Sequence, residues 1–422
     1  MRSLLLLSSV LSLGVAATST ANASGFGVKV NSTVLQGQAN AGSAVINDPL
    51  AMYNNPAILS QIGAKGGRFE AALSGTGILG NVKYTNLDTG LNTGNIVKNK
   101  FTGTGAAAFA AKIHPCATVG LAITTPYGLA FNYGRNSDVK NYVVESDLKT
   151  VAFSPSLAIK VNPMLTLGAG MDVQWSYVKL SSYPVASLPT TFGTAKGNDW
   201  HVRGTFGVLV EPTQDIRFGV SIKTRSTARL SGDYMVSSND AFATPFGFVS
   251  GKASAKLSFP TTITLSGSYN ATSKWTIYGD FIRTNWSSIS ALNLNTPAGT
   301  SQIVGGWEDT NFISIGTDYK FNDKWTVRGG LGFDYTPTAK ANRVPGIPDN
   351  NKTWLAVGGS YEVNSWKFSL SYGHEFFKNA PVQQSMQTQT LPGVGLVLVK
   401  PALNGKIKEH ADLISLQVNY KF

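Results

Sequence analysis

Ile414, Leu416, Val418, Tyr420 and Phe422 alternate with Ser415, Gln417, Asn419 and Lys421, a strict period of two that a β-strand with one apolar and one polar face satisfies. The same period runs through Trp325, Val327, Gly329, Leu331, Phe333 and Tyr335, set against Lys324, Thr326, Arg328 and Asp334. A third copy puts Leu165, Leu167, Ala169, Met171, Val173, Trp175 and Tyr177 opposite Thr166, Asp172, Gln174 and Ser176, and further copies start at Phe218, Trp275 and Trp366. These runs extend over about 9 to 13 residues, where soluble strands average about 5 to 6 and a tilted membrane-spanning strand needs about 9 to 11. Their length separates a transmembrane barrel from a soluble sandwich, which alternates as well.

Punctuation supports the barrel. Asn162-Pro163, Asn322-Asp323 and Asn364-Ser365 are tight polar turns between alternating runs. Trp275, Trp325 and Trp366 follow such turns closely, where an indole sets its ring toward lipid and its N–H toward water. Much longer polar connections, about residues 86–100, 183–199, 237–250, 288–306 and 378–406, alternate with the short ones. Short turns at one end and long loops at the other describe an outer-membrane barrel, and the runs from Gly67 to Phe422 number about fourteen. The fold class expected is therefore an all-β membrane protein, an antiparallel barrel over residues 66–422.

Composition agrees. Of the 422 residues 42% are hydrophobic and only 14% charged, with 44 glycines and one cysteine, which excludes a disordered chain and suits many strands joined by polar turns. Residues 1–23 combine Arg2, an apolar stretch from Leu4 to Val15 and a small-x-small ending at Ala21 to Ala23, a secretory signal expected to be cleaved before Ser24. Removing Arg2 takes the balance of 35 basic and 23 acidic residues from +12 to 34 minus 23, or +11. No dense basic run, basic helix or Cys/His spacing accompanies that charge, so nucleic acid is not an expected partner and Cys116 is expected to be an ordinary thiol. His114, His201, His374 and His410 sit in no nucleophile motif, and neither an enzyme activity, a metal nor a cofactor is expected.

Residues 24–65 break the alternation. Gly37, Ala39, Ala41, Gly42 and Ala44 precede Asn47-Asp48-Pro49, a helix start, and Asn55-Pro56-Ala57, another break. Short helices and turns ahead of a wide polar barrel are expected to plug its lumen, with a periplasmic extension as the alternative. Arg217, Lys223, Arg225 and Arg328 fall on expected lumen positions, and Lys98, Lys100 and Arg135 on the outer surface, where lipopolysaccharide phosphates are available.

These residues resemble the family of outer-membrane long-chain fatty acid transporters (FadL) and their relatives that import aromatic hydrocarbons. The resemblance rests on Ser24-Gly25-Phe26, the run from Gly37 to Ala44, Asn55-Pro56-Ala57, and Ile123 to Ala130 with Thr125-Pro126-Tyr127-Gly128. It also rests on Phe259-Pro260, Thr284 to Ser287, Lys324 to Gly330, the segment from Phe333 to Trp354 and the terminal Phe422, and it spans nearly the whole mature chain. It implies a monomeric fourteen-stranded barrel closed by an N-terminal hatch and inserted by barrel-assembly machinery that reads Phe422. Its ligand would be a hydrophobic small molecule, captured outside and released sideways into outer-membrane lipid. The lateral opening would lie at an inward kink of the third strand, here Thr125 to Gly128, with the Asn55-Pro56-Ala57 motif packed near it. Pro126 lacks a ladder donor and Gly128 tolerates unusual dihedrals, so this segment interrupts pairing. The family's two carboxylate-binding basic residues would fall near Ser182 and near Val304 to Gly306, none of them basic here. A general porin and a surface adhesion or phage-receptor barrel are the alternatives in function.

Overall fold

The computed structural model describes residues 25–62, 67–98, 101–289, 291–391 and 395–422; the expected signal peptide, Ser24, Lys65 and Lys100 lie outside these. Fourteen antiparallel wall strands follow one another around a closed barrel. They are β1 (Phe69–Asn86), β2 (Thr102–His114), β3 in two segments (Ala117–Thr124 and Gly128–Asn132), β4 (Glu145–Asn162), β5 (Leu165–Ser182) and β6 (Phe192–Val210). Three strands in two segments each continue the wall: β7 (Ile216–Lys223, Ser226–Ser237), β8 (Gly251–Phe259, Thr262–Asn270) and β9 (Trp275–Thr284, Ala291–Thr296). The last five are β10 (Gly299–Gly305, Thr310–Lys320), β11 (Trp325–Asp334), β12 (Lys352–Val363), β13 (Trp366–Phe377, Ala380–Gln384) and β14 (Leu403–Lys421). β1 pairs with β14 from Glu70 opposite Lys421 to Asn86 opposite Gly405, and this seam closes the wall.

Alternation sorts the faces. On β5, Leu167 and Met171 are exposed to lipid while Thr166, Asp172, Gln174 and Ser176 are buried in the lumen. The short turns form as their asparagines dictate: Asn162 Oδ1 accepts from the Met164 and Leu165 amides, and Asn322 Oδ1 from those of Lys324 and Trp325. Trp275, Trp325 and Trp366 are all exposed just above these turns, and Trp366 packs against Tyr420 at 4.4 Å between ring centres, marking the periplasmic edge of the lipid band.

The long connections differ from the expectation of polar loop. Residues 291–305 form the paired upper ends of β9 and β10, β13 continues through Ala380–Gln384, and Gln387–Leu391 pairs with Gly395–Lys400 in a hairpin outside the wall. These strands rise beyond the lipid band into water, so neither face needs to be apolar and the periodic signal is lost.

Residues 25–62 lie inside the barrel. A short helix, α1 (Thr33–Gln36), is capped by Ser32, and 3-10 turns at Pro49–Tyr53 and Pro56–Gln61 are capped by Asp48 and Asn55, each with proline at the first position. Val34, Leu35, Leu50, Met52, Ile58, Leu59 and Ile62 pack on the inner face of β1 to β4, where Ala72, Ala106, Ala108, Ala110, Ala122, Ala152 and Ala158 leave them room. Elsewhere the hatch is held by polar groups: Asp280 accepts from the Gly42 and Ser43 amides, and Gln417 joins Thr33 to Asp48.

Candidate lateral gate and ligand cavities

β3 breaks at Thr125-Pro126-Tyr127. Below the break it pairs with β2 and β4, whereas above it Gly128–Asn132 pairs with β4 and has left β2. The upper segment turns inward, with Leu129, Ala130 and Phe131 all buried and the Asn132 amide bonded to Ile96 of the β1–β2 connection. Pro126 has no amide to offer β2, so the ladder has no donor where the strands part.

At the break itself the open edge is paired by the hatch, and above it by the β1–β2 connection at Ile96 to Lys98. Gly27 forms an antiparallel bridge with Tyr127, the Val28 amide donates to Pro126 O at 2.7 Å, and the Gly128 amide donates to Phe26 O at 2.9 Å. Residues 26–28 thus add a short strand to the broken wall. Phe26 then enters a cage of Tyr127, Phe259, Trp286 and Trp307 at ring-centre distances of 5.0 to 6.0 Å. Gly25 must be glycine: its φ of +70° is left-handed, and a Cβ would stand 2.8 Å from the Trp307 ring. Its amide donates to Asp349 of the β11–β12 connection at 3.1 Å. Burial pushes the Asp349 carboxyl up to about 7, against the opposing effect of its bonds from Thr336 and Gly25.

One guanidinium ties the break to the hatch. Arg203 of β6 donates to Asp172 of β5 at 2.9 Å, to the Tyr127 hydroxyl at 2.9 Å and to the Tyr53 hydroxyl at 2.6 Å. Lys223 of β7 donates to the same carboxylate at 3.1 Å and to Tyr53 O at 2.6 Å, and its ammonium lies 3.3 Å from the centre of the Tyr53 ring. All five side chains are buried, two of them basic and one acidic.

Asn55-Pro56-Ala57 sits elsewhere than beside the break. Asn55 donates to Ala44 O and to Val208 O of β6, and the turn touches the wall at Gly168 and Gly207, where a Cβ would stand 2.2 Å from Ala57 N and 1.8 Å from Asn55 Oδ1. Leu59, further along that turn, meets β3 at Gly120, below the break. The residues that meet the kink are Phe26 to Val28. Arg225 is also not where the alternation put it: it is exposed in the interruption of β7 between Lys223 and Ser226, while Lys223 and Arg328 are buried in the lumen.

Two cavities lie beside the residues that cover the break, Phe26 lining the first and Gly27 and Val28 the second. An outer vestibule of about 830 Å³ is lined by Phe26, Leu129, Leu257, Leu292 and Ile347 among others, and a lower one of about 110 Å³ by Val28, Tyr127, Arg203, Lys223 and Trp286. Ser182, Gly305 and Gly306, near which the resemblance led us to expect carboxylate-binding positions, line the vestibule but bring no charge. Its acids are matched, since Glu145 lies 2.7 Å from both Lys98 and Lys179, and Asp147 lies 3.1 Å from Lys98. Lys400 also lines it. That cation rests 5.1 Å from the Tyr142 ring centre, with no carboxylate in ion-pair range among the described residues, and burial holds its ammonium below the usual lysine range. Lys400 escaped sequence reasoning because it stands at the end of a hairpin whose position is set by contacts to residues 186 and 187 across the vestibule.

Residues 14–422 match the sequence model of the family described as Outer membrane protein transport protein (OMPP1/FadL/TodX). The chain is 27% identical over 292 residues to a long-chain fatty acid transport protein of Escherichia coli O6:H1, a match covering 60% of this chain and 66%, just under two thirds, of that one. It is 25% identical to the putative outer membrane protein NMB0088 of Neisseria meningitidis, over 98% of both chains. Among solved structures, a Pseudomonas aeruginosa FadL homologue superposes with a TM-score of 0.82 at 23% identity, covering 94% of this chain and all of that one. The Pseudomonas putida toluene transporter TodX superposes at 0.71 with 15% identity, over 95% and 99% of the two chains. Sequence match and barrel together make this chain a member of the OMPP1/FadL/TodX family of outer-membrane transport proteins.

Proposed function

We propose that the chain carries hydrophobic small molecules, long-chain fatty acids or aromatic hydrocarbons, inward across the outer membrane without an energy source. A molecule settles in the outer vestibule against the aromatic cage, residues 26–28 withdraw, and the molecule leaves sideways through the break in β3 into lipid. The observation that carries this reading is that, where β3 has left β2, its edge at the break is paired by the hatch through two hydrogen bonds, and only above that by the β1–β2 connection at Ile96 to Lys98. Straight descent into the periplasm is disfavoured, because below the break the hatch packs on the alanine-lined wall. Sideways exit is also the favourable direction, since each methylene moved from water to lipid gains about 0.8 kcal/mol. Related proteins that transport long-chain fatty acids in one case and toluene in another support the ligand class.

The test is uptake of labelled palmitate and labelled alkylbenzene by cells with no other importer of this family. They carry either the native chain or one in which Thr125-Pro126-Tyr127-Gly128 is replaced by Thr-Val-Thr-Val to continue the strand. Uptake by the native chain that is lost on straightening β3 is the expected result. Equal uptake by both chains would refute lateral release, and no uptake by the native chain would refute transport of either ligand.

A further inference from the structure

Three lysines stand side by side on the outside of the wall, at the seam that closes the barrel. Lys83 of β1 is the cross-strand partner of Lys408 of β14, and both are exposed. Lys378 is exposed in the interruption of β13 between Phe376, paired with His410, and Ala380, paired with Ile407, which brings it to the level of Lys408 from the other side. Lys406 adds a fourth charge one step further out on β14. Neighbouring strands are about 4.8 Å apart, and like charges directly opposite one another destabilise a sheet. None of the four lysines has a carboxylate in ion-pair range among the described residues. The nearest acid on this face, Asp412, is engaged by His374 at 2.7 Å and by the Tyr372 hydroxyl at 2.6 Å.

The level of the row says what faces it. Tyr420, packed on Trp366, marks the periplasmic edge of the lipid band. Lys408 is twelve residues further along β14; at about 3.3 Å per residue and a tilt of about 40° that is a rise of about 30 Å, against an apolar band about 25 Å tall. On the same outward face Leu416 and Ile414 are exposed to lipid. The lysines therefore stand just above the acyl chains of the outer leaflet, at the depth of its headgroups.

We propose that Lys83, Lys378 and Lys408, with Lys406 beside them, form a binding site for the phosphate groups of the phosphorylated glycolipid of the outer leaflet. The acyl chains of that lipid lie on Ile414, Leu416 and Leu370, and its phosphates offset the repulsion within the row. Ammonium-to-phosphate contacts of this kind are charge-assisted, and a row of three gives them a geometry that scattered surface lysines lack. The site lies on the outside of the wall and does not depend on what the lumen carries.

The experiment uses the purified full-length chain in neutral detergent, with diphosphoryl lipid A as probe and phosphatidylcholine as control. Lipid A retained in native mass spectra and a melting temperature raised by about 2–4 °C are the expected results, with neither for phosphatidylcholine. The triple variant K83Q/K378Q/K408Q loses both, and without lipid it melts no lower than the native chain because the repulsion is gone. The Lys→Arg triple variant retains lipid A. Equal stabilisation of the native and Gln variants, or equal binding of phosphatidylcholine, overturns the proposal. Should the triple variant not fold, K408Q alone and a salt titration of the native chain decide: retention of lipid A undiminished at about 1 M salt, where screening reaches ~3 Å, overturns it as well.

Discussion

Replacing Phe26 by alanine tests whether the hatch alone keeps the wall shut. Phe26 is 2% exposed and touches four aromatic rings, but only while residues 26–28 lie along the break. Truncating a buried phenylalanine costs about 3–5 kcal/mol. Here that loss falls on the seated state of the N-terminal segment and not on the barrel, whose ladder is untouched. At about 1.4 kcal/mol per factor of ten, the seated-to-withdrawn ratio should fall by about a hundredfold to several thousandfold. Val28, 7% exposed when seated, gives the readout. In a Cys116→Ser background, a Val28→Cys thiol should react with an aqueous maleimide at least about tenfold faster once Phe26→Ala is added, even if half of the loss is absorbed by relaxation. Palmitate uptake should rise in parallel, since residues 26–28 then cover the break for less of the time. An unchanged labelling rate in a correctly folded variant would refute the view that this side chain latches the gate.

Gly27 and Tyr127 form a non-hydrogen-bonded antiparallel pair, a spacing of about 4.5 Å between Cα atoms that lies within disulfide range; G27C/Y127C in the Cys116→Ser background should stop uptake when oxidised and regain it on reduction, and equal uptake in both states would refute withdrawal of the hatch. Lys400→Gln should weaken palmitate binding by about 10- to 100-fold and leave alkylbenzene binding unchanged, because one charge-assisted bond is lost; equal effects on both ligands in equilibrium binding would exclude a headgroup role. The Gly25 amide favours the charged form of Asp349, whose carboxyl burial holds at about 7, so this hatch bond is weakest below about pH 5 and strengthens as pH rises through 7. Val28→Cys labelling should therefore slow between about pH 5 and 8 after correction for maleimide reactivity, and Asp349→Asn should flatten that fall.

The wall was legible because lipid imposes a rule on every spanning residue: one face must be apolar, and Leu165 to Tyr177 obey it over a length that soluble strands rarely reach. The break at Pro126 was legible for a related reason, as a proline inside such a run removes a ladder donor. Arg225 was misplaced because the interruption after Lys223 resets the alternation, and a slip of one residue exchanges the two faces. Arg203 carries no such signal. Nothing in its local sequence announces that Tyr53 and Tyr127, 150 and 76 residues away, converge on it. The strand extensions from 291 to 305 lie above the lipid, where the rule no longer applies.

The seam between β1 and β14 joins the two ends of the wall, and the hatch precedes β1 in the chain. The hatch meets the wall backbone to backbone at Gly168 of β5, where a Cβ would stand 2.2 Å from Ala57 N. Residues 25–62 therefore rest against strands made long after them, and the β1–β14 pairing encloses them. The strand that closes the wall is also the one that shuts the hatch inside it.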